Sequence, residues 1–194
     1  MKWTLPNILT LLRIVLIPVL VIVFLTQSRY SYQLSAAIFG LAAITDWLDG
    51  YFARRLKQLS VFGAFLDPVA DKLMVAVALV LLVQDNPTAL FAVPACIIIG
   101  REIAISALRE WMSEIGERTR VAVSVIGKIK TITQMVAILL LLYKVPLGPL
   151  PVHQVGVALL YVAALLTLWS MVVYMRAAWP ILSGGSGQDG AGDA

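Results

Sequence analysis

Six stretches of this chain are apolar over about the length that crosses a bilayer, more hydrocarbon than a soluble fold of 194 residues can hide. A spanning helix needs roughly 20 mostly apolar residues at ~1.5 Å rise each. Residues 8–25, 34–52, 61–83, 90–111, 121–143 and 155–174 fit that description. Turn residues and charges separate them, at 26–31, 54–60, 84–88, 112–120 and 146–151. The first stretch is the weakest because Arg13 interrupts it, and a start lying in the interface is the alternative there. With 60% apolar and 13% charged residues the chain is neither disordered nor an ordinary soluble domain. One cysteine, Cys96, makes no disulfide scaffold. The expected fold is all-α, a polytopic membrane bundle of six transmembrane helices.

The net charge of +4 is spread between apolar stretches, which suits a membrane margin rather than nucleic acid. In a six-pass arrangement Lys2, Arg54, Arg55, Lys57, Arg109, Arg118, Arg120 and Arg176 fall on one side, and only Arg29 and Lys144 on the other. That asymmetry predicts both termini in the cytoplasm. A secretory signal is the rival reading of residues 1–25, but no small-residue cleavage site follows the apolar run. No transit peptide precedes Pro6, so the expected location is a bacterial inner membrane. Residues 1–182 read as one membrane domain and 183–194, rich in glycine, as a flexible low-complexity tail.

Four acids stand where hydrocarbon is expected. Asp46 and Asp49 close the second stretch, and Asp67 and Asp71 open the third. Intramembrane acids are costly and point to a site. Spacings of three and four put each pair on one helix face. A short turn joins the two helices as antiparallel neighbours, so both pairs can meet at one level near the cytoplasmic surface. Four carboxylates there need a counter-charge. An ion-pair network with Lys72, Arg54 and Arg55 is one reading, although Lys72 is adjacent to Asp71 and points about 100° away on a helix. Divalent cations are the other, and an oxygen-only ligand set favours Mg²⁺ or Mn²⁺ over zinc. Gly50, Ala53, Gly63 and Ala64 leave room for a bulky ligand or for close helix packing.

Asp46, Asp49, Gly50, Ala53, Arg54, Gly63, Asp67 and Asp71 together spell D-x2-D-G-x2-A-R-x8-G-x3-D-x3-D. This resembles the signature of the CDP-alcohol phosphatidyltransferases, with no departure. Flanking residues resemble the phosphatidylglycerophosphate synthases within that family: Pro6, Asn7, Ile8, Leu9, Thr10 and Arg13; Arg101, Glu102 and Arg109; and Gly127, Lys128, Lys130, Thr131, Gln134 and Met135. The resemblance implies transfer of a phosphatidyl group from CDP-diacylglycerol to sn-glycerol 3-phosphate, giving phosphatidylglycerophosphate and CMP. It also implies two divalent cations on Asp46, Asp49, Asp67 and Asp71, with Asp71 as general base, and a homodimer among membrane lipids. Gly50, Ala53, Arg54 and Gly63 match the motif that contacts the CDP-lipid donor. Asn7, Thr10 and Arg13 would lie beside that donor, the alternative being that Asn7 caps a helix and Arg13 snorkels to the interface.

A phosphorylated acceptor calls for cations, and Arg101, Arg109, Lys128 and Lys130 are the candidates. Arg109 shares a helix face with Glu102 and could be held by it instead. Arg118 and Arg120 read as a loop touching anionic headgroups. A covalent enzyme intermediate is disfavoured. His153, the only histidine, is predicted on the far side, and Cys96 mid-span as a packed apolar residue. Direct displacement is therefore expected. The same chemistry with serine, inositol phosphate or phosphatidylglycerol as acceptor is the near alternative, and an ion or proton transporter the distant one. The acids cluster at one end and no inverted repeat is visible, which weighs against transport.

Overall fold

In lipid every backbone N–H and C=O has to be satisfied within the chain, so apolar runs of this length fold as helices. The structure, a computed structural model, describes residues 5–56, 61–115, 125–146 and 148–182; the side chains at 5, 6, 51–54, 56, 61, 62, 64, 125, 126, 128 and 180–182 are not among those described. Six helices follow in order: α1 Leu5–Leu25, α2 Ser31–Leu56, α3 Val61–Asp85, α4 Ala89–Glu114, α5 Val125–Tyr143 and α6 Val152–Leu182. Among the described residues there is no strand. Asn7–Leu25, Ala89–Glu114 and Val152–Trp179 are long and apolar enough to cross a membrane by length and composition alone. The proline at 18, 68 or 94 sits inside α1, α3 or α4 respectively without ending it. The tail 183–194 and the loop residues Lys57, Arg118 and Arg120 lie outside the described residues.

The packing order corrects one expectation. α2 and α3 touch each other only lightly, whereas α1 packs extensively against both. The first helix is a wedge between the two acid-bearing helices, not a loosely attached interfacial segment. Leu20 and Phe24 anchor it in the core with Phe39 of α2 and Leu79 and Leu82 of α3, all buried. On the other side α5 packs closely on α6 and also on α2. A Cβ at Gly156 would lie 2.9 Å from the Leu141 side chain, so glycine there lets α5 and α6 approach. Large apolar side chains such as Val15, Ile22, Leu165 and Trp169 face outward, as in a bundle whose solvent is lipid.

At the end away from the acids, Lys144 Nζ donates to Asp85 Oδ2 at 2.7 Å, and Tyr32 Oη donates to Asp85 Oδ1 at 3.1 Å. The ammonium also lies 4.6 Å from the Tyr32 ring centroid. This cluster ties the end of α3 and the start of α2 to the chain leaving α5. Nearby at the same end, His153 packs against Phe91 at 5.9 Å between ring centroids.

Candidate active site

Positions 7, 10 and 13 recur every three residues and so line one side of α1. All three side chains are buried in the wedge contact: Asn7, Thr10 and Arg13. Arg13 is only 1% exposed. Its Nη1 lies 2.9 Å from Asp46 Oδ1 and 2.5 Å from Asp71 Oδ1, and its Nη2 pairs with Asp49. Thr10 Oγ1 donates to Asp67. The four acids thus converge as their spacing requires, and each is met by a residue of α1.

Two of the sequence readings are overturned here. Arg13 does not snorkel to an interface: a guanidinium in the low-dielectric interior is tolerable only when paired, and here carboxylates surround it. Asn7 does not cap a helix, since α1 begins at Leu5. Among the described residues a guanidinium of the first helix meets the acids, a counter-charge the sequence reading did not weigh beside Lys72, Arg54, Arg55 and divalent cations. A charged residue interrupting an apolar segment was the available signal for it.

The acids differ in access. Asp49 has a side chain 5% exposed, while those of Asp46 and Asp71 are 42% and 48% exposed. The open ones face a cavity of about 980 Å³ bounded by α2, α3, α4 and α5, with Arg13 of α1 reaching it. Arg13, Asp46, Asp67 and Asp71 line one wall, and Arg101, Glu102 and Arg109 another. Trp47, Phe65, Ile132 and Val136 add apolar surface, so the cavity joins polar groups to hydrocarbon.

On the second wall Glu102 is the hub. Its Oε1 accepts from Lys130 Nζ at 2.9 Å and lies 2.9 Å from Arg101 Nη2. Arg101 is buried, and its Nε has no partner among the described residues. Lys130 is buried behind Glu102 and is not part of the cavity lining. Arg109 is not held by Glu102. It donates to Tyr174 Oη at 2.8 Å and lies 5.3 Å from that ring's centroid. Tyr174 of α6 was missed because nothing in the sequence ties it to residues 65 positions earlier.

Gly50 and Gly63 flank the acids on α2 and α3, and Gly63 is buried. Ala53, Arg54 and Lys128 stand on helices, but their side chains lie outside the described residues. Cys96 is exposed on α4 rather than packed, so the expectation that it fills the core is corrected. Cys96 and His153 are both absent from the cavity lining.

The buried α1 motif, the acid quartet and the paired cations together occupy the region matched by a family model. That model, described as CDP-alcohol phosphatidyltransferase, covers residues 3–169. The chain belongs to this family. As a member, it resembles curated relatives over nearly its whole length. It is 52% identical over 178 residues to the CDP-diacylglycerol–glycerol-3-phosphate 3-phosphatidyltransferase of Salmonella choleraesuis (strain SC-B67), covering 92% of this chain and 96% of that one. To the protein of the same name from Pseudomonas fluorescens it is 53% identical over 179 residues, covering 91% of each. A third such relative, from Shigella flexneri serotype 5b, is 52% identical over 178 residues, with 92% and 96% covered.

Proposed function

We infer that the protein is a CDP-diacylglycerol–glycerol-3-phosphate 3-phosphatidyltransferase, making phosphatidylglycerophosphate and CMP. The observation that carries this is one cavity with open carboxylates on one wall and buried or cavity-facing guanidinium groups on the other. Relatives bearing that name over nine-tenths of the chain support it. The protein works in a bacterial inner membrane, as a homodimer, with six crossings and with its active site and both termini toward the cytoplasm.

The donor set fits hard divalent cations: Asp46, Asp49 and Asp71 turn toward Arg13, Asp67 accepts from Thr10 beside them, and no thiol or imidazole lines the cavity. With Arg13 among them, no three acidic, histidine or cysteine side chains are disposed for an ion among the described residues. Asp46, Asp49, Asp67 and Asp71 would hold two ions, Mg²⁺ or Mn²⁺, once Arg13 yields their oxygens. When bound, such ions neutralise the pyrophosphate and the departing nucleotide.

The remaining work belongs to side chains. Arg101 and Arg109 receive the acceptor phosphate, with Lys128 and Lys130 adding positive charge behind it. Asn7, Thr10, Arg13, Gly50, Ala53, Arg54 and Gly63 border the CDP-lipid. Asp71 takes the proton from the acceptor's primary hydroxyl. That oxygen forms a bond to the phosphorus bearing diacylglycerol, the bond from this phosphorus to the bridging oxygen breaks, and CMP leaves. Neither Cys96 nor His153 lines the cavity, and the Ser106 and Thr131 hydroxyls there donate to carbonyls of their own helices, which supports direct displacement.

Purified protein in mixed micelles with labelled CDP-diacylglycerol tests this against a panel of glycerol 3-phosphate, serine, inositol phosphate and phosphatidylglycerol. Phosphatidylglycerophosphate is the expected product. Turnover of serine in preference to glycerol 3-phosphate would contradict the basic wall.

A further inference from the structure

Six residues carry a buried side-chain polar atom without a hydrogen-bond partner among the described residues: Arg13, Gln33, Ser35, Arg101, Gln134 and Thr167. Only Arg13, Arg101 and Gln134 of these line the cavity. Leaving a polar atom buried and unpaired costs stability, so three residues with such atoms on one cavity point to polar ligand groups that complete them. The two arginines offer donors, which suit phosphate oxygens. Gln134 differs. It is 4% exposed and its unpaired atom is the carbonyl Oε1, an acceptor.

A phosphate dianion has no hydrogen to give that acceptor, whereas a hydroxyl does. The acceptor substrate read above carries two hydroxyls. The primary one attacks phosphorus and belongs with Asp71. The secondary one, between it and the phosphate, is left without an assigned partner. Gln134 lies one helical turn beyond Lys130 on the same face of α5, and it shares the cavity with both Asp71 and Arg101. An apolar side chain of equal size would fill the same space without an orphaned carbonyl, so packing alone does not account for a glutamine.

We propose that Gln134 is a specificity-determining residue that binds the secondary hydroxyl of the polyol phosphate acceptor. This rests on the glycerol 3-phosphate reading. A site built around a substrate hydroxyl discriminates against the analogue that lacks it, because the protein group is then left unpaired. The wild-type protein therefore distinguishes glycerol 3-phosphate from 3-hydroxypropyl phosphate, which keeps the phosphate and primary alcohol but has no secondary hydroxyl. A ketone analogue is a poorer probe, since a rotated amide can donate to it.

The experiment measures kcat/KM for both acceptors with the full-length protein in CDP-diacylglycerol micelles. Wild type is expected to favour glycerol 3-phosphate by at least about ten-fold. Gln134→Met, similar in volume, brings the ratio to within about three-fold, the loss falling on glycerol 3-phosphate alone. Gln134→Glu keeps an acceptor oxygen and retains the preference even if both rates fall. An unchanged ratio in Gln134→Met overturns the proposal, as does an equal loss for both acceptors or a raised KM for the donor. A wild-type protein that shows no preference overturns it without any variant. A wild type inert toward glycerol 3-phosphate refutes the underlying reading instead.

Discussion

Arg13 Nη1 donates to Asp71 Oδ1 at 2.5 Å, joining the first helix to the third across 58 positions of sequence. The contact makes a built-in cation the partner of the residue assigned as base. It also makes α1 part of the active site rather than an anchor. Divalent ions and this guanidinium compete for the same oxygens.

Arg13→Gln should therefore behave differently with and without metal. Removing one member of a buried ion-pair cluster costs ~3–5 kcal/mol, and the openness of Asp46 and Asp71 to the cavity lowers that to about 2–3 kcal/mol. The expected result is a lower unfolding temperature in EDTA and a larger rise on adding Mn²⁺ than wild type shows. Thermal melts with and without Mn²⁺ measure both. Equal melting of the two proteins in EDTA would remove Arg13 from the role of counter-charge.

Asp71→Asn keeps the shape of the side chain and removes its capacity to take a proton. A general base contributes about 10²–10⁴-fold, so kcat should drop by that order while the KM for CDP-diacylglycerol stays within a few-fold. Steady-state CMP release reads both. A variant with near-normal kcat would assign proton removal elsewhere.

Glu102 Oε1 lies 2.9 Å from both Lys130 Nζ and Arg101 Nη2. Glu102→Gln leaves two buried cations with less compensation, so stability should fall, and an added anion should restore part of it. The check is the melting temperature with increasing inorganic phosphate: the variant gains more than wild type. If the two respond alike, Glu102 does not organise the pair.

The far end offers a pH test. Burial favours neutral Lys144, but hydrogen bonds to Asp85 and Tyr32 outweigh it and hold the ammonium's pKa above its ordinary value. A raised folded pKa means that the cluster's stabilisation is complete below about 10.5 and is lost as pH rises through the folded value. Lys144→Met should be less stable than wild type at neutral pH, with the gap closing above that range, and CMP release should change little. A gap that is constant with pH would contradict the ionic origin.

Much of this was legible before any coordinates. The six apolar runs gave six helices, and the spacing of Asp46, Asp49, Asp67 and Asp71 foretold that their side chains converge. Periodicity reports which residues share a face of one helix, and it succeeded there. It is silent on which helix lies opposite, so the wedge position of α1 stayed hidden, and whether Arg13 faced the site or the interface stayed open. Tyr174 was hidden for the same reason. The burial of Lys130 behind Glu102 follows from how α4 and α5 rotate against each other, which no local pattern encodes. Gln134 could be quoted as part of a motif, but its unpaired carbonyl emerged only once its neighbours were placed.

The central claim is that the acids around Arg13 run the transfer through divalent cations. Its most direct test is the initial rate of glycerol 3-phosphate-dependent CMP release by the purified protein, first in EDTA and then during Mg²⁺ or Mn²⁺ titration, beside a variant carrying asparagine at 46, 49, 67 and 71. The rate should vanish in EDTA, return with either ion, and stay at background in the variant. Full release in EDTA, or release by the variant, would contradict the account.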